Sequence, residues 1–467
     1  MNRGKKLFLI LILLLVAPAI RSFPAYARAE SRRSLIDGRW NIVFDMPEGF
    51  YETPIEFTVG KDGRVEWVVL GPLGTLQITG ASGRLKGNKL TLDAQTSFGN
   101  FKINATVAGG RISGKWRPAG FFAQLFFKGE MRGARAKAIP STPARVEVFD
   151  AVASELQERF YAPDYNGVDW NATRARYRRQ ARAARSDGEL LAVVRRMLSE
   201  LRASHLEFFA TPSGSDELHP KAKDAEAAAP EADIIWRRLS PTVGYLKINS
   251  FEDGPEVVES IDRAFAELGA SPSLVIDLRG NGGGTLTAAM RIGDYLFASS
   301  RPVGYFATRQ GLTGRRVRSI DHLEAGSLPL FDGYFAADFQ RELDKHGALM
   351  LVTGGRAAKP YTGRIAVLVD EYCFSACEAF ASIIKETQVA PLIGARTPGA
   401  MLGADAVSLA GGWTLVLPVA DFKTPRGLRV EGRGVEPDIP VRSGRGKDAH
   451  LDAALAFLKN ANSAPAE

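Results

Sequence analysis

Cysteine and histidine are scarce in this chain. Only two cysteines, Cys373 and Cys377, occur in 467 residues. A disulfide framework is therefore not what holds the fold together. The five histidines, at 205, 219, 322, 346 and 450, are scattered. No Cys/His cluster has zinc spacing and there is no His-Glu-x-x-His segment, so no metal or other cofactor is expected. No glycine-rich stretch ends in Gly-Lys-Ser/Thr, which excludes the phosphate-loop motif. Beyond the first residues, no apolar run is long enough to cross a bilayer.

The start of the chain does carry a short apolar run. Arg3, Lys5 and Lys6 precede Leu7 to Val16, and Ala25-Tyr26-Ala27 offers small residues in the pattern a signal peptidase reads. This predicts a signal peptide over 1–27, cleaved after Ala27, and a secreted or periplasmic mature chain with no stable membrane insertion. The competing reading is a retained anchor, for which the run is short. The whole chain has a net charge of +8. Arg3, Lys5, Lys6 and Arg21 belong to the signal, so subtracting four leaves +4 for the mature chain. So mild a charge gives no reason to expect a nucleic-acid partner.

Residues 36–136 read as all-β, a small antiparallel barrel or sandwich. Alternating runs such as Val65 to Val69 and Lys89 to Leu92 are punctuated by turn pairs such as Gly87-Asn88 and Gly109-Gly110. Such a module either binds something or caps the rest, and the pattern does not separate the two. Residues 143–212 read as helical, with Val148, Phe149, Val152 and Leu156 at helical intervals, then Leu190, Leu191, Val194 and Leu198. The Arg/Ala-rich stretch Arg174 to Arg185 reads as a solvated helix face. Residues 213–232 read as a polar linker. Residues 233–445 read as an α/β core with an insertion at 310–360, and 446–467 as a C-terminal helix and tail. Leu274 to Leu278 and Arg364 to Asp370 have the unbroken apolar character of strands buried on both faces.

Two junctions in that core could carry chemistry. The first is Asp277-Leu278-Arg279-Gly280-Asn281-Gly282-Gly283-Gly284, between a buried strand and a helix. Its amides could meet an anion, form an oxyanion hole, or simply make a tight turn. The second is Asp370-Glu371-Tyr372-Cys373-Phe374-Ser375-Ala376-Cys377-Glu378, where another buried strand gives way to a helix. Ser375 there reads either as a helix cap or as an exposed nucleophile beside helix amides. The two cysteines around it read as buried free thiols. A bridge over four residues is feasible but geometrically demanding.

Taken in order, Ala203-Ser204-His205, the glycine turn, Ser375-Ala376-Cys377-Glu378 and Glu431-Gly432-Arg433-Gly434-Val435-Glu436-Pro437-Asp438 resemble the tail-specific (C-terminal processing) peptidases and the tricorn core protease. The resemblance spans roughly residues 143 to 445 and implies a crotonase-like or ClpP-like sheet-and-helix core. It implies no cofactor and a peptide or protein substrate. The tail-specific form takes its base from a lysine in a Phe-Gly-Lys-Gly segment. Here Thr397-Pro398-Gly399-Ala400 stands in its place, with Ala400 at the lysine position. Lys385 and Lys423 match no such motif and read as solvent-facing. The tricorn-like, histidine-dependent branch, related to interphotoreceptor retinoid-binding protein, fits instead. It implies Ser375 as nucleophile, His205 as general base, and Glu431 supporting His205 through Ser204. Backbone N–H groups of Gly283 and Ala376 would form the oxyanion hole, with Gly282 and Gly284 as near alternatives, while Arg279 and Asn281 would brace the turn. The 213–232 stretch is too short for the PDZ module that many relatives carry. Two other roles remain open on the same fold: a non-catalytic binder of apolar ligands or peptides, and a small-substrate esterase or amidase.

Overall fold

The computed structural model describes residues 34–46, 49–72, 78–96, 99–118, 129–136, 144–212, 233–442 and 448–460. The expected signal peptide (1–27) and linker (213–232) lie outside the described residues.

The N-terminal unit is a closed barrel of eight antiparallel strands. They are β1 (Gly38–Met46), β2 (Gly49–Val59), β3 (Arg64–Val69), β4 (Ile78–Lys86), β5 (Lys89–Thr96), β6 (Gly99–Ala108), β7 (Arg111–Pro118) and β8 (Gly129–Arg135). Strict alternation makes the barrel. In β3, Val65, Trp67 and Val69 point inward while the intervening residues face out. Trp40, Ile42, Ile55, Phe57, Leu92 and Trp116 help to fill the interior. The ring N–H groups of Trp40 and Trp116 are satisfied by the Ile36 and Asp45 carbonyls, 2.7 and 3.0 Å away. The lumen is thus a packed core.

Three helices follow: α1 (Arg145–Arg159), α2 (Trp170–Ala183) and α3 (Asp187–Glu200). Ser186 caps α3, its hydroxyl accepting from the Glu189 amide. On α2, Thr173, Tyr177 and Ala181 turn inward, and most of the arginines stay at the surface. The barrel is tied to this unit at α3. The Glu56 carboxylate accepts from the Asp187 and Gly188 amides, at 3.1 and 2.6 Å, where the helix dipole favours an anion. Arg39 donates to the Gly411 and Thr211 carbonyls and lies over the Trp413 ring.

The remainder is built on two sheets. Its elements are β9 (Glu207–Ala210), β10 (Ile234–Ser240), β11 (Val243–Ile248), α4 (Pro255–Leu268), β12 (Ser273–Asp277), α5 (Thr287–Leu296), β13 (Arg301–Thr308), α6 (Arg309–Gly314), β14 (Leu330–Phe331), α7 (Ala336–His346), β15 (Ala348–Thr353), β16 (Arg364–Val369), α8 (Ala376–Thr387), β17 (Leu392–Gly394), β18 (Leu402–Leu409), β19 (Trp413–Lys423), β20 (Ile439–Pro440) and α9 (Ala449–Asn460). The first sheet has the order β10-β11-β12-β16-β17-β20, parallel from β11 onward. Helices α4, α5 and α8 cover one face and α9 the other. That double cover explains the unbroken apolar character of β12 and β16.

The second sheet has the order β14-β15-β13-β19-β18, with β9 also on β19. Here the structure corrects the sequence reading. The 310–360 stretch does not merely lie over the core, because every residue of β15 is buried and β15 pairs along β13. Strand β19 is buried along its whole length, between α1 and α3 on one side and the core on the other. Lys423, expected at the surface, is 7% exposed. Its ammonium is held 2.8 Å from Asp321, which supplies the charge partner that burial requires.

Candidate active site

The parallel strands β12 and β16 end side by side, and both glycine turn and serine segment leave from those carboxyl ends. This is where open α/β sheets place their sites. The Asp370 carboxylate accepts from the Gly280 and Tyr372 amides, each at 3.0 Å, and so joins the two segments. The Phe374 amide donates to the Asn281 carbonyl at 3.0 Å. Arg279 braces the turn from below, donating to Asp277 and to Asp448 at the start of α9.

Ser375 sits immediately before α8 with φ 54° and ψ −122°. A non-glycine residue held there is strained by about 1–3 kcal/mol. Its side chain caps nothing, so the helix-cap reading of Ser375 fails. Gly283 lies so close that a Cβ on it would stand 2.6 Å from the Ser375 Cβ. The cysteines are not free thiols: Cys373 and Cys377 form a disulfide. The chain reversal at Ser375 brings their Cα atoms to 5.3 Å, within bridging range, and both are fully buried.

His205 lies in the turn between α3 and β9, itself at a positive φ of 53°. Because β9 pairs with β19, from Glu207↔Val416 to Trp413↔Ala210, this turn is anchored to the core sheet. The Ser204 hydroxyl donates to Glu431 Oε2 at 2.7 Å and lies 2.9 Å from His205 Nδ1. With its hydrogen on the carboxylate, the Ser204 oxygen accepts from Nδ1–H, which leaves the Nε2 lone pair free. Glu431 also accepts from the Ser204 and Met401 amides, each at 2.9 Å. Burial pushes its carboxyl up from the ordinary range, against the pull of those three donors. Burial drives the His205 imidazole down to about 4, so it stays neutral.

The structure therefore brings Ser204, His205 and Glu431 into one chain. It forms no hydrogen bond between that chain and the Ser375 hydroxyl among the described residues. The connection is the loop Gly399 to Met401. Ala400 offers its carbonyl to the Ser375 amide at 3.1 Å, and Met401 gives its amide to Glu431. Of the predicted oxyanion donors, the Ala376 amide donates to no described group. The Gly283 amide does donate, to Asn281 Oδ1 at 2.8 Å. Lys385 pairs with Asp438 and Lys423 with Asp321, so neither lysine serves Ser375. Among the described residues, no three His, Cys, Asp or Glu side chains gather to hold a metal ion.

Sequence reasoning passed over Glu378. It is fully buried one turn along α8 from Ser375 and accepts from the Thr397 hydroxyl and the Gly399 and Ala400 amides, all at 2.6 Å. Burial raises its carboxyl to about 7. The available signal was its place in the Ser375-Ala376-Cys377-Glu378 motif, where it was given no role.

Comparison with known proteins agrees with this geometry. Residues 242–441 match peptidase family S41, and residues 143–199 match the tricorn protease C1 domain. The core is thus similar to the S41 peptidase family, and the helical segment before it to the tricorn C1 domain. Similar curated proteins include a carboxyl-terminal-processing protease of Picosynechococcus, 25% identical over 247 residues, covering 50% of each chain. Another is the carboxy-terminal processing protease CtpB of Bacillus subtilis, 24% identical, covering 43% of this chain and 34% of that one. The chain thus spans half or less of the length of these relatives. Among solved structures, a Parabacteroides merdae protein assigned as a peptidase is similar with a TM-score of 0.50 and 20% identity. That match covers 70% of this chain and 100% of the other.

Proposed function

We propose that this chain is an exported serine peptidase that cleaves peptide bonds through an acyl-enzyme on Ser375. The observation that carries the reading is the unbroken Glu431–Ser204–His205 chain, linked through Ala400 and Met401 to a serine in strained backbone at a helix N-terminus. His205 Nε2 takes the Ser375 proton as the hydroxyl attacks the scissile carbonyl, and Glu431 steadies the resulting imidazolium through Ser204. The Ala376 amide meets the oxyanion. The second donor in this conformation is Gly282 or Gly284, because the Gly283 amide is already given to Asn281. The imidazolium then protonates the leaving amine, and water, activated by the same base, releases the acyl group. The Ser375 hydroxyl must turn toward Nε2 for the first step, a closure that catalytic hydrogen bonds often make only with substrate bound.

A fluorophosphonate probe tests this. Wild-type protein should be labelled on Ser375, and His205→Ala should lose the labelling while remaining folded. Absence of label on folded wild-type protein would instead favour a binding role for the fold. Peptide and ester substrates offered side by side would separate the peptidase from a small-substrate esterase or amidase.

A further inference from the structure

The disulfide encloses the nucleophile. Cys373 lies two residues before Ser375 and Cys377 two after it, so the bridge closes a ring of five residues around the strained φ and ψ of Ser375. The Ser375 hydroxyl makes no hydrogen bond among the described residues, so no partner holds the side chain and its Cβ is placed by the backbone that this ring constrains. The ring is also joined to the oxyanion turn. Cys377 Sγ lies 3.7 Å from the Leu278 carbonyl oxygen, and Phe374, inside the ring, donates its amide to Asn281. By chain entropy a five-residue loop contributes about 2 kcal/mol, the low end for a disulfide.

We propose that the Cys373–Cys377 bridge is a positioning device for Ser375, closed by thiol–disulfide exchange in an oxidising compartment, so that the nucleophile is set only there. The two thiols give two hydrogens to a disulfide oxidant. One S–S bond forms between Cys373 and Cys377, the oxidant's S–S bond breaks, and the oxidant leaves as two thiols. Both cysteines are fully buried in the folded chain, so small thiols do not reopen the bridge without unfolding. The device acts once, at folding. This inference rests on the reading of Ser375 as nucleophile.

The test compares three forms of the full chain: oxidised wild type, wild type unfolded and refolded in dithiothreitol, and the Cys373→Ala/Cys377→Ala double variant. Each is titrated with a fluorophosphonate, giving a maximal labelling rate constant and a half-saturating concentration, and each is thermally unfolded. The maximal rate constant should fall at least about ten-fold in both bridge-free forms, as misplaced reacting atoms require. The half-saturating concentration should stay near wild type, and unfolding should remain cooperative with a midpoint lowered by the loss of the bridge. Unfolding the reduced wild type and refolding it with oxidised glutathione should restore the rate, and the same treatment should leave the double variant slow. A purely structural bridge would lower the fraction of labelled molecules without changing the rate constant of those that react, and that result overturns the proposal. Wild-type rates in bridge-free protein overturn it too, leaving the peptidase reading intact. So does the finding of two free thiols in unfolded, unreduced protein. Should the double variant not fold, the reduced wild type carries the comparison alone. A wild type that never labels overturns the nucleophile reading and this inference with it.

Discussion

Glu431 meets His205 through a single hydroxyl, that of Ser204, 2.7 Å from the carboxylate and 2.9 Å from the imidazole. In the proposed mechanism the carboxylate orients the imidazole at one remove, and the intervening oxygen is the point at which the chain can be cut. Ser204→Ala should leave the buried turn folded, because Glu431 keeps its bonds to the two amides. Turnover should nevertheless fall by about 10²- to 10⁴-fold, as when an imidazole loses its orienting partner. Ser204→Thr retains the hydroxyl and should recover part of the loss. Measured kcat/KM equal to wild type in Ser204→Ala would mean that Glu431 does not act on His205.

Two buried groups near the nucleophile titrate with opposite effects on stability. His205 is held down to about 4 from an ordinary value of 6.5. Between those pH values the unfolded chain binds the extra proton, so this group's contribution is complete above pH 6.5 and is lost as pH falls toward 4, by up to ~3 kcal/mol. Glu378 is raised to about 7 from 4.5. There the folded chain holds the extra proton, so its contribution is complete below pH 4.5 and is lost as pH rises through 7. Subtracting the denaturation midpoints of His205→Ala from wild type across pH 4 to 7 should give a curve rising with pH. The same subtraction for Glu378→Gln should give a falling one. Curves of the same sign would refute the assignment. The acid limb of kcat/KM should likewise lie below the ordinary histidine range, because the base stays unprotonated down to about pH 4.

The barrel reaches the site through α3. Its Glu56 holds the amides of Asp187 and Gly188 at one end of the helix, and the chain that leaves the other end carries Ser204 and His205. Glu56→Ala should lower stability by about 0.5–2 kcal/mol, the usual cost of a lost N-terminal cap. Chemical denaturation of the whole chain measures it, and an unchanged midpoint would show that the contact carries no net energy.

The parts of the fold that the sequence reveals are those where local pattern and burial agree. Strands β11, β12 and β16 read correctly because double cover keeps their centres apolar and confines Lys247, Ser273, Asp277 and Arg364 to positions at or next to the strand ends. The barrel reads correctly because its strands alternate. The burial of β19 escaped because Lys423, which reads as solvent-facing, and Asp421 are buried with the partners Asp321 and Arg429 drawn from other segments. The disulfide was read as two thiols because a spacing of four residues suggests helix geometry throughout. The positive φ at Ser375, which brings the two cysteines together, is a property of the folded turn alone. The ordered motifs pointed to Ser204, His205 and Glu431, which the fold joins by hydrogen bonds. The use of Gly283, whose amide is spent on Asn281, needed coordinates.

The neighbouring glycines Gly282 and Gly283 separate close packing from mere turn chemistry. At Gly283, φ is +92°, and a Cβ would stand 2.6 Å from Ser375 Cβ, 2.7 Å from the Phe374 carbonyl oxygen and 3.1 Å from the Ala376 amide nitrogen. Those are the nucleophile's own atoms and backbone, none able to yield cheaply. Gly283→Ala should therefore cost about 1–3 kcal/mol of stability, the scale of overpacking, and should abolish labelling of Ser375. At Gly282 a Cβ would meet nothing within 4 Å, and the backbone is not left-handed. Gly282→Ala should stay within about 0.5–1 kcal/mol of wild type. Its amide is retained, so labelling should persist. Comparable losses of label in the two variants would mean that the turn as a whole, and not the contact between Gly283 and Ser375, sets the nucleophile.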